Sequence, residues 1–119
     1  MGTHCLIAIE NKDGSVQYIY CHYDGYISHM APLLSCEYNT RKYVEELISK
    51  GGIVALKKRN EMDMHSSGVE SAHDMWKFER EWYMYEDVYY YYLFTKDDKW
   101  VVRCKDQIEL NEIMNLKVN

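Results

Sequence analysis

The chain begins with two short runs in which apolar and aromatic residues dominate. Residues 4–10 and 15–22 are rich in the β-branched and aromatic residues that favour strands. Between them, Asp13-Gly14 suits a tight turn that needs a positive φ. We therefore predict that the chain opens with a β-hairpin.

Placing that dipeptide at the centre of the turn sets the register of the hairpin. On one face the predicted pairs are Cys5 with His22, Ile7 with Tyr20, and Ile9 with Tyr18. The other face carries Leu6, Ala8, Ile19 and Cys21. Because both faces are largely apolar, the hairpin is predicted to lie in the middle of a sheet.

Helical spacing of apolar residues predicts two helices after the hairpin. Ser28 can cap the first, with Pro32 in or near its first turn, where a missing amide costs least. Asn39 or Thr40 can cap the second, which should end at Gly51-Gly52.

Four weaker or shorter elements follow. Residues 53–56 predict a short strand, and the polar, aperiodic residues 60–71 predict a flexible loop. Residues 74–82 predict an amphipathic helix. Its apolar side would consist of Met75, Trp76 and Phe78. A closing helix is predicted from Asp106, with Glu109 completing a capping box.

A second hairpin is predicted from residues 89–95 and 100–104, which flank a charged turn at 96–99. Strands and helices alternate without a βαβ rhythm. The expected fold class is therefore α+β, an antiparallel sheet built from two hairpins with helices mainly on one face. At 119 residues, the chain is expected to form a single domain over residues 1–119.

Charge and composition narrow the function classes. Fourteen Lys+Arg against nineteen Asp+Glu give a net charge of −5, which argues against bulk nucleic-acid binding. The four cysteines form no CxxC pair, so we expect reduced thiols in a cytoplasmic protein. No apolar run approaches the roughly 20 residues of a membrane helix, and membrane association is not expected.

His22, Asp24 and His29 are the candidates for a metal site, since imidazole and carboxylate suit a divalent ion. Their spacing matches no known metal signature, and a strand end followed by an Asp-Gly turn explains the same residues. We therefore predict no metal and no cofactor. Cys5 opposite His22 is the remaining nucleophile pair, and a buried structural cysteine is the favoured alternative.

Catalytic motifs are not recognisable in the sequence, which lacks a Gly-rich phosphate loop, a nucleophile elbow and an HExxH motif. The prediction is a protein that is not an enzyme. A small hydrolase or nuclease using His22 and Asp24 remains the third alternative.

Tyrosine is the compositional anomaly, with twelve residues and four consecutive at 89–92. Exposed tyrosine is typical of binding surfaces, and a wide aromatic core is the competing interpretation. Glu79, Glu81, Glu86 and Asp87 are interleaved with these rings, so the segment suits a basic protein partner. The predicted binding residues are Tyr23, Asp24, Tyr26, Trp82, Tyr83, Tyr85, Glu86, Asp87, Tyr89 and Tyr91.

A second ligand class is a small nucleotide, with its base stacked on tyrosine and its phosphate held by cations. The residues predicted for that alternative are His22, Arg41, Lys57, Lys58 and Arg59.

Several segments resemble a family of small phage and prophage proteins. They are Met1-Gly2-Thr3, the run at 6–10 with Asp13-Gly14, the segment at 20–26 with its His-x-Asp-Gly-Tyr motif, the runs at 38–41 and 44–48, and the run at 92–94 with Trp100. The chain departs from the family by having His4 where arginine is usual and Ile27 where proline is usual, and residues 60–71 do not reproduce the family's Gly/Arg/Asp-rich central segment. The resemblance implies a small protein that acts in the host cytoplasm against bacterial immunity.

Three functions from different classes follow. The first is an inhibitor that binds a host defence protein or complex, for example a CRISPR effector, through protein–protein contact. The second is a sponge for a nucleotide immune signal, and the third is the small hydrolase or nuclease. Homo-oligomerisation is compatible with each of them.

Overall fold

The computed structural model describes residues 3–61 and 68–105 and the backbone of 111–112. These residues form a seven-stranded sheet. The strands are β1 (His4–Glu10), β2 (Val16–Tyr23), β3 (Ile53–Ala55), β4 (Glu70–Ala72), β5 (Val88–Phe94), β6 (Trp100–Cys104) and β7 (Asn111–Glu112). The helices are α1 (Ile27–Glu37), α2 (Arg41–Ser49) and α3 (Met75–Met84), with a short 3-10 turn at Arg59–Glu61.

The sheet is mixed rather than antiparallel. Its order is β3-β2-β1-β5-β6-β7. The remaining strand, β4, pairs with residues 16–18 of β2, whereas β3 pairs with residues 21–23 of that strand. The two predicted hairpins, β1/β2 and β5/β6, are confirmed. However, β1 joins β5 in parallel and β2 joins β3 in parallel, so the predicted antiparallel sheet was wrong. The long chain between β2 and β5 supplies the crossover that parallel pairing requires.

Two of the three described helices, α1 and α2, lie on one face of the sheet, as the prediction of helices mainly on one face has it, and α3 covers the other face. Cys5, Ile7 and Ile9 of β1 pack in the core formed with α1 and α2. Leu6 and Ala8 pack in a second core with α3. The reason is that the central strands are apolar on both faces, and each face must be covered.

The first hairpin has a register one residue away from the prediction. Cys5 lies opposite Cys21 and Ile7 lies opposite Ile19. Asn11 donates from its backbone N–H to the carbonyl of Ser15. This pair encloses a loop of three residues, 12–14, rather than the two predicted, and Gly14 in that loop has a φ of 92°. A shift of one residue moves every β2 side chain to the opposite face relative to β1. Tyr18 and Tyr20 therefore face α3.

The two helices after the hairpin begin differently. Thr40 caps α2 as predicted, because its side chain accepts from the backbone N–H of Tyr43. Ser28 was the wrong cap for α1, which begins at Ile27 with Tyr26 in the N-cap position. Pro32 lies inside α1, beyond the first turn in or near which it was predicted, and its missing amide leaves the carbonyl of Ser28 without its usual helical donor.

Two segments contain strands where none was predicted. Glu70–Ala72, which overlaps the last two residues of the loop predicted at 60–71, forms β4 against β2, while residues 62–67 lie outside the described residues. Asn111–Glu112 pairs with β6 as β7, so the predicted closing helix was wrong at those two positions. The rest of that helix lies outside the described residues. Both short strands cover backbone groups that would otherwise lie at a sheet edge.

Candidate functional site

The predicted candidate His22 lies at the end of the sheet where β1 begins and β2 ends. Its exposed ring stacks on that of His4, with 4.7 Å between centroids, and its Nδ1 is 3.2 Å from the hydroxyl of Tyr20. The Nδ1 of His4 donates to the backbone carbonyl of His22, and its Nε2 lies 3.7 Å from the carboxylate of Asp87. This cluster therefore connects β1, β2 and the residue before β5.

The proposed metal ligands do not converge. The Nε2 of His29 is 2.9 Å from the backbone oxygen of Leu56, and its ring packs near Tyr26. Its partners thus differ from those of His22. Within 3–61 and 68–105, no group of three His, Cys, Asp or Glu residues is arranged to hold a metal ion.

The Asp-Gly turn after β2 has a structural explanation. Asp24 adopts a left-handed backbone with φ of 59°, a conformation that aspartate tolerates better than most residues. Gly25 donates from its backbone N–H to the carbonyl of Thr3 at 2.8 Å, and a Cβ on Gly25 would lie only 2.8 Å from that oxygen. The glycine therefore permits close contact with β1. Tyr23 and Tyr26, on either side of this turn, are exposed.

The Cys5–His22 pair is not formed. Cys5 faces Cys21 across the strands, and both thiols are buried. Burial, followed by the hydrogen bond with Cys21, raises the pKa of Cys5 well above its usual value. A nucleophilic cysteine needs thiolate character, so Cys5 fits the structural alternative.

The segment from 82 to 92 was predicted as a binding surface, but much of it lies in the core. Trp82 and Tyr91 are both 0% exposed, and Tyr85 is half-buried. Trp82 lies one helical turn after Phe78, on the side of α3 that packs on the sheet. Tyr83 and Tyr89 are the exposed tyrosines of that segment.

The carboxylates within α3 have partners inside the molecule. Glu79 accepts from the hydroxyl of Tyr91 at 2.7 Å, and Glu81 accepts from the hydroxyl of Tyr18 at the same distance. Burial, followed by these hydrogen bonds, raises the pKa of both tyrosines. These two carboxylates therefore hold α3 on the sheet. The predicted acidic residues that remain exposed are Glu86 and Asp87.

Arg41, a predicted nucleotide ligand, connects the two hairpin turns. Its Nε donates to the carboxylate of Asp98 at 2.8 Å, and its guanidinium also donates to the backbone oxygens of Thr95 and Glu10. The guanidinium carbon lies 5.4 Å from the centroid of Phe94. These contacts make Arg41 a structural residue.

The other predicted cations, Lys57, Lys58 and Arg59, are exposed after β3. The guanidinium carbon of Arg59 lies 3.8 Å from the ring centroid of Tyr43. The cavity beside this pair has a volume of about 40 Å³, close to the space of one water molecule and far below that of a nucleotide pocket.

A surface of which only Tyr83 was among the predicted binding residues lies on the outward side of α3. At 100° per residue, five side chains occupy one continuous arc of this helix. They are Trp76, Lys77, Arg80, Tyr83 and Met84, and all five are exposed. We call this arc the outer α3 face.

Three of these side chains are large and apolar in character. Trp76 is 65% exposed, Tyr83 is 51% exposed and Met84 is 79% exposed. The guanidinium carbon of Arg80 lies 4.8 Å from the ring centroid of Trp76. A groove of about 180 Å³ adjoins Met84 and is lined by Lys77, Arg80, Glu81 and Met84.

The prediction placed Trp76 on the apolar side of its helix. Trp76 and Trp82 differ by 600° around the axis, or 240° after full turns, so only one of them can pack on the sheet. The signal that could have located the surface was the phase set by Phe78 and Trp82, which are one turn apart.

Comparison with models of known protein families, with curated proteins and with solved structures finds no match for this chain. Among the described residues, no helix combines the length and the apolar character required to cross a bilayer.

Proposed function

We propose that this protein acts by binding another protein through the outer α3 face. The observation that supports the proposal is the continuous exposure of Trp76, Tyr83 and Met84, with Arg80 among them, on one side of a helix. Tryptophan, tyrosine and arginine are the residues enriched among those that dominate interface energies. Methionine is likewise enriched at interfaces.

The helix is also held rigidly. Two of its own side chains, Phe78 and Trp82, are fully buried against the sheet, and the hydroxyls of Tyr18 and Tyr91 donate to its glutamates. A surface that is already ordered loses less entropy on association than a flexible one. The outer α3 face is therefore a preformed surface, which suits the binding of a partner.

The biological role that we propose for this binding is inhibition of a bacterial immune effector. Its support is the resemblance to small phage proteins, carried most specifically by the motif at 22–26. The nucleotide-sponge and hydrolase alternatives have less structural support. Arg41 is engaged in the fold, and the cavity beside Arg59 is small.

The test compares two double variants in bacteria that carry CRISPR immunity against an infecting phage. Trp76→Ala/Tyr83→Ala removes the two aromatic anchors of the outer α3 face. Tyr23→Ala/Tyr89→Ala is the matched control, because it removes two exposed tyrosines that lie outside α3.

We expect the unaltered protein and the control to restore phage plating, and the α3 variant to lose that effect. Each truncated anchor should cost about 2 kcal/mol of binding. Thermal melting of the purified variants checks that both remain folded. Full plating with the α3 variant, or loss with the control alone, would contradict the proposal.

A further inference from the structure

The free charges of the outer α3 face are positive, although the whole chain carries a net charge of −5. Lys77 and Arg80 are both exposed on this face. Glu79 points away from it to Tyr91. The carboxylate of Glu81 lines the groove as well, and one of its oxygens accepts from the hydroxyl of Tyr18. Two cationic side chains and one carboxylate therefore line the groove, so positive charge exceeds negative charge there, which is opposite to the sign of the whole chain.

Arg80 is arranged to receive a carboxylate. Its guanidinium lies over the ring of Trp76, with 4.8 Å between the guanidinium carbon and the ring centroid. A guanidinium in contact with a ring still has N–H groups that can bind a carboxylate in a bidentate arrangement. Lys77 lies on the preceding turn of the same arc and adds a second cation.

The groove beside these cations can accept an apolar side chain. Its volume is about 180 Å³, and Met84 supplies its apolar wall.

We propose that the occupant of the outer α3 face is an acidic protein segment, in which an apolar side chain is flanked by carboxylates. The apolar side chain enters the groove beside Met84, and the carboxylates pair with Arg80 and Lys77. This assignment rests on the proposed function. The acidic residues of the sequence predicted a basic partner, whereas the outer α3 face suits an acidic one.

The test uses fluorescence anisotropy with labelled synthetic peptides of one length. The acidic peptide places one phenylalanine among aspartates and glutamates. Its controls replace the acids by asparagine and glutamine or by lysine, and a single-stranded oligothymidine serves as the nucleic-acid probe. The protein variants are Lys77→Glu/Arg80→Glu and the control Lys42→Glu, an exposed lysine of α2.

We expect the acidic peptide to bind more tightly than either control peptide and than the oligothymidine. Charge reversal at Lys77 and Arg80 should weaken that binding by about tenfold or more, because like charges across an interface repel. Lys42→Glu should retain it. An equal loss with Lys42→Glu, no preference for the acidic peptide, or preference for the oligothymidine would overturn the inference. Self-association of the protein through this face would also overturn the inference. Sedimentation would detect it as a dimer that Lys77→Glu/Arg80→Glu abolishes.

The two proposals fail in different ways. If Trp76→Ala/Tyr83→Ala loses the effect on phage plating while Lys77→Glu/Arg80→Glu retains it and no acidic preference is seen, the outer α3 face binds a partner of other chemistry. If the alanine variant has no effect, the face is not the functional surface.

Discussion

At the scale of single residues, two side chains of the same type can lie in the core and on the surface, and the composition of the chain does not show which is which. Trp82 and Trp76 lie in the same helix, yet one is 0% exposed and the other is 65% exposed. The sequence showed that aromatic residues concentrate here. It did not show which of them face the sheet, because the phase of α3 depends on packing against Leu6, Ala8 and Tyr18 of β1 and β2, which are distant in sequence.

Arg41 illustrates the same limit for a charged residue. In the sequence it resembles a free cation beside the start of a helix. In the fold its guanidinium donates to Asp98 and to the backbone oxygens of Thr95 and Glu10. No local pattern could have indicated these partners, since two of them lie more than fifty residues away.

Replacing Arg41 by alanine should destabilise the protein. We expect the free energy of unfolding to fall by about 2 kcal/mol, since hydrogen bonds to charged groups are lost and the turn carbonyls lose a donor. Urea denaturation measures the change. Lys42→Ala, next to it and exposed, should stay within about 0.5 kcal/mol of the unaltered protein. If Arg41→Ala kept full stability but lost affinity for a nucleotide, Arg41 would instead be a ligand residue.

At the scale of secondary structure, local chemistry was sufficient where a motif is self-contained. The two hairpins, the Thr40 cap of α2 and the existence of α3 follow from turn residues, caps and periodicity. The register of β1 and β2 was missed because a three-residue loop and a two-residue turn share the same Asp-Gly signal. The strands β4 and β7 were missed because they pair with partners already formed elsewhere in the sheet.

The start of α3 gives a prediction at this scale. The side chain of Asp74 accepts from the backbone N–H of Lys77 at 2.8 Å. Asp74→Ala removes this cap and should cost about 1 kcal/mol of the free energy of unfolding. Asp74→Asn retains a capping oxygen and should cost much less. Thermal melting of both variants makes the comparison, and equal losses would show that the cap does not hold the helix start.

At the scale of the whole molecule, the sheet is a single layer with a separate aromatic and aliphatic core on each face. The α+β class was predictable from composition and element order. The parallel contact between β1 and β5 was not, because it depends on how the two hairpins pack side by side.

Both cores contain tyrosines whose phenols must stay protonated. Burial raises the pKa of Tyr38 to about 12, and it raises the pKa of Tyr92 further. Burial, followed by the hydrogen bond to Glu79, does the same for Tyr91. In the unfolded chain each phenol returns to a pKa of about 10.

The fold should therefore lose stability in alkali. Below a pH of about 10 these phenols are protonated in both states, and their contribution is fully present. Above it the unfolded chain releases protons that the folded chain retains, which favours unfolding. We expect the urea midpoint to fall steadily as the pH rises from about 10 to about 12. Tyr91→Phe removes one ionisable phenol and should make this decline shallower. A midpoint that does not change over this range would contradict the assignment of these phenols to the core.

If the outer α3 face binds a partner, the tryptophans of the protein should report the contact. The chain contains three tryptophans, and Trp82 and Trp100 are buried while Trp76 is exposed. Biosynthetic 5-fluorotryptophan labelling gives each its own ¹⁹F signal, and Trp76→Phe identifies the signal of Trp76. On titration with the unlabelled partner captured from the host, we expect the Trp76 signal to move and to become protected from a paramagnetic agent in the solvent, while the signals of Trp82 and Trp100 change little. Saturation with the partner that leaves Trp76 as accessible as before would contradict it.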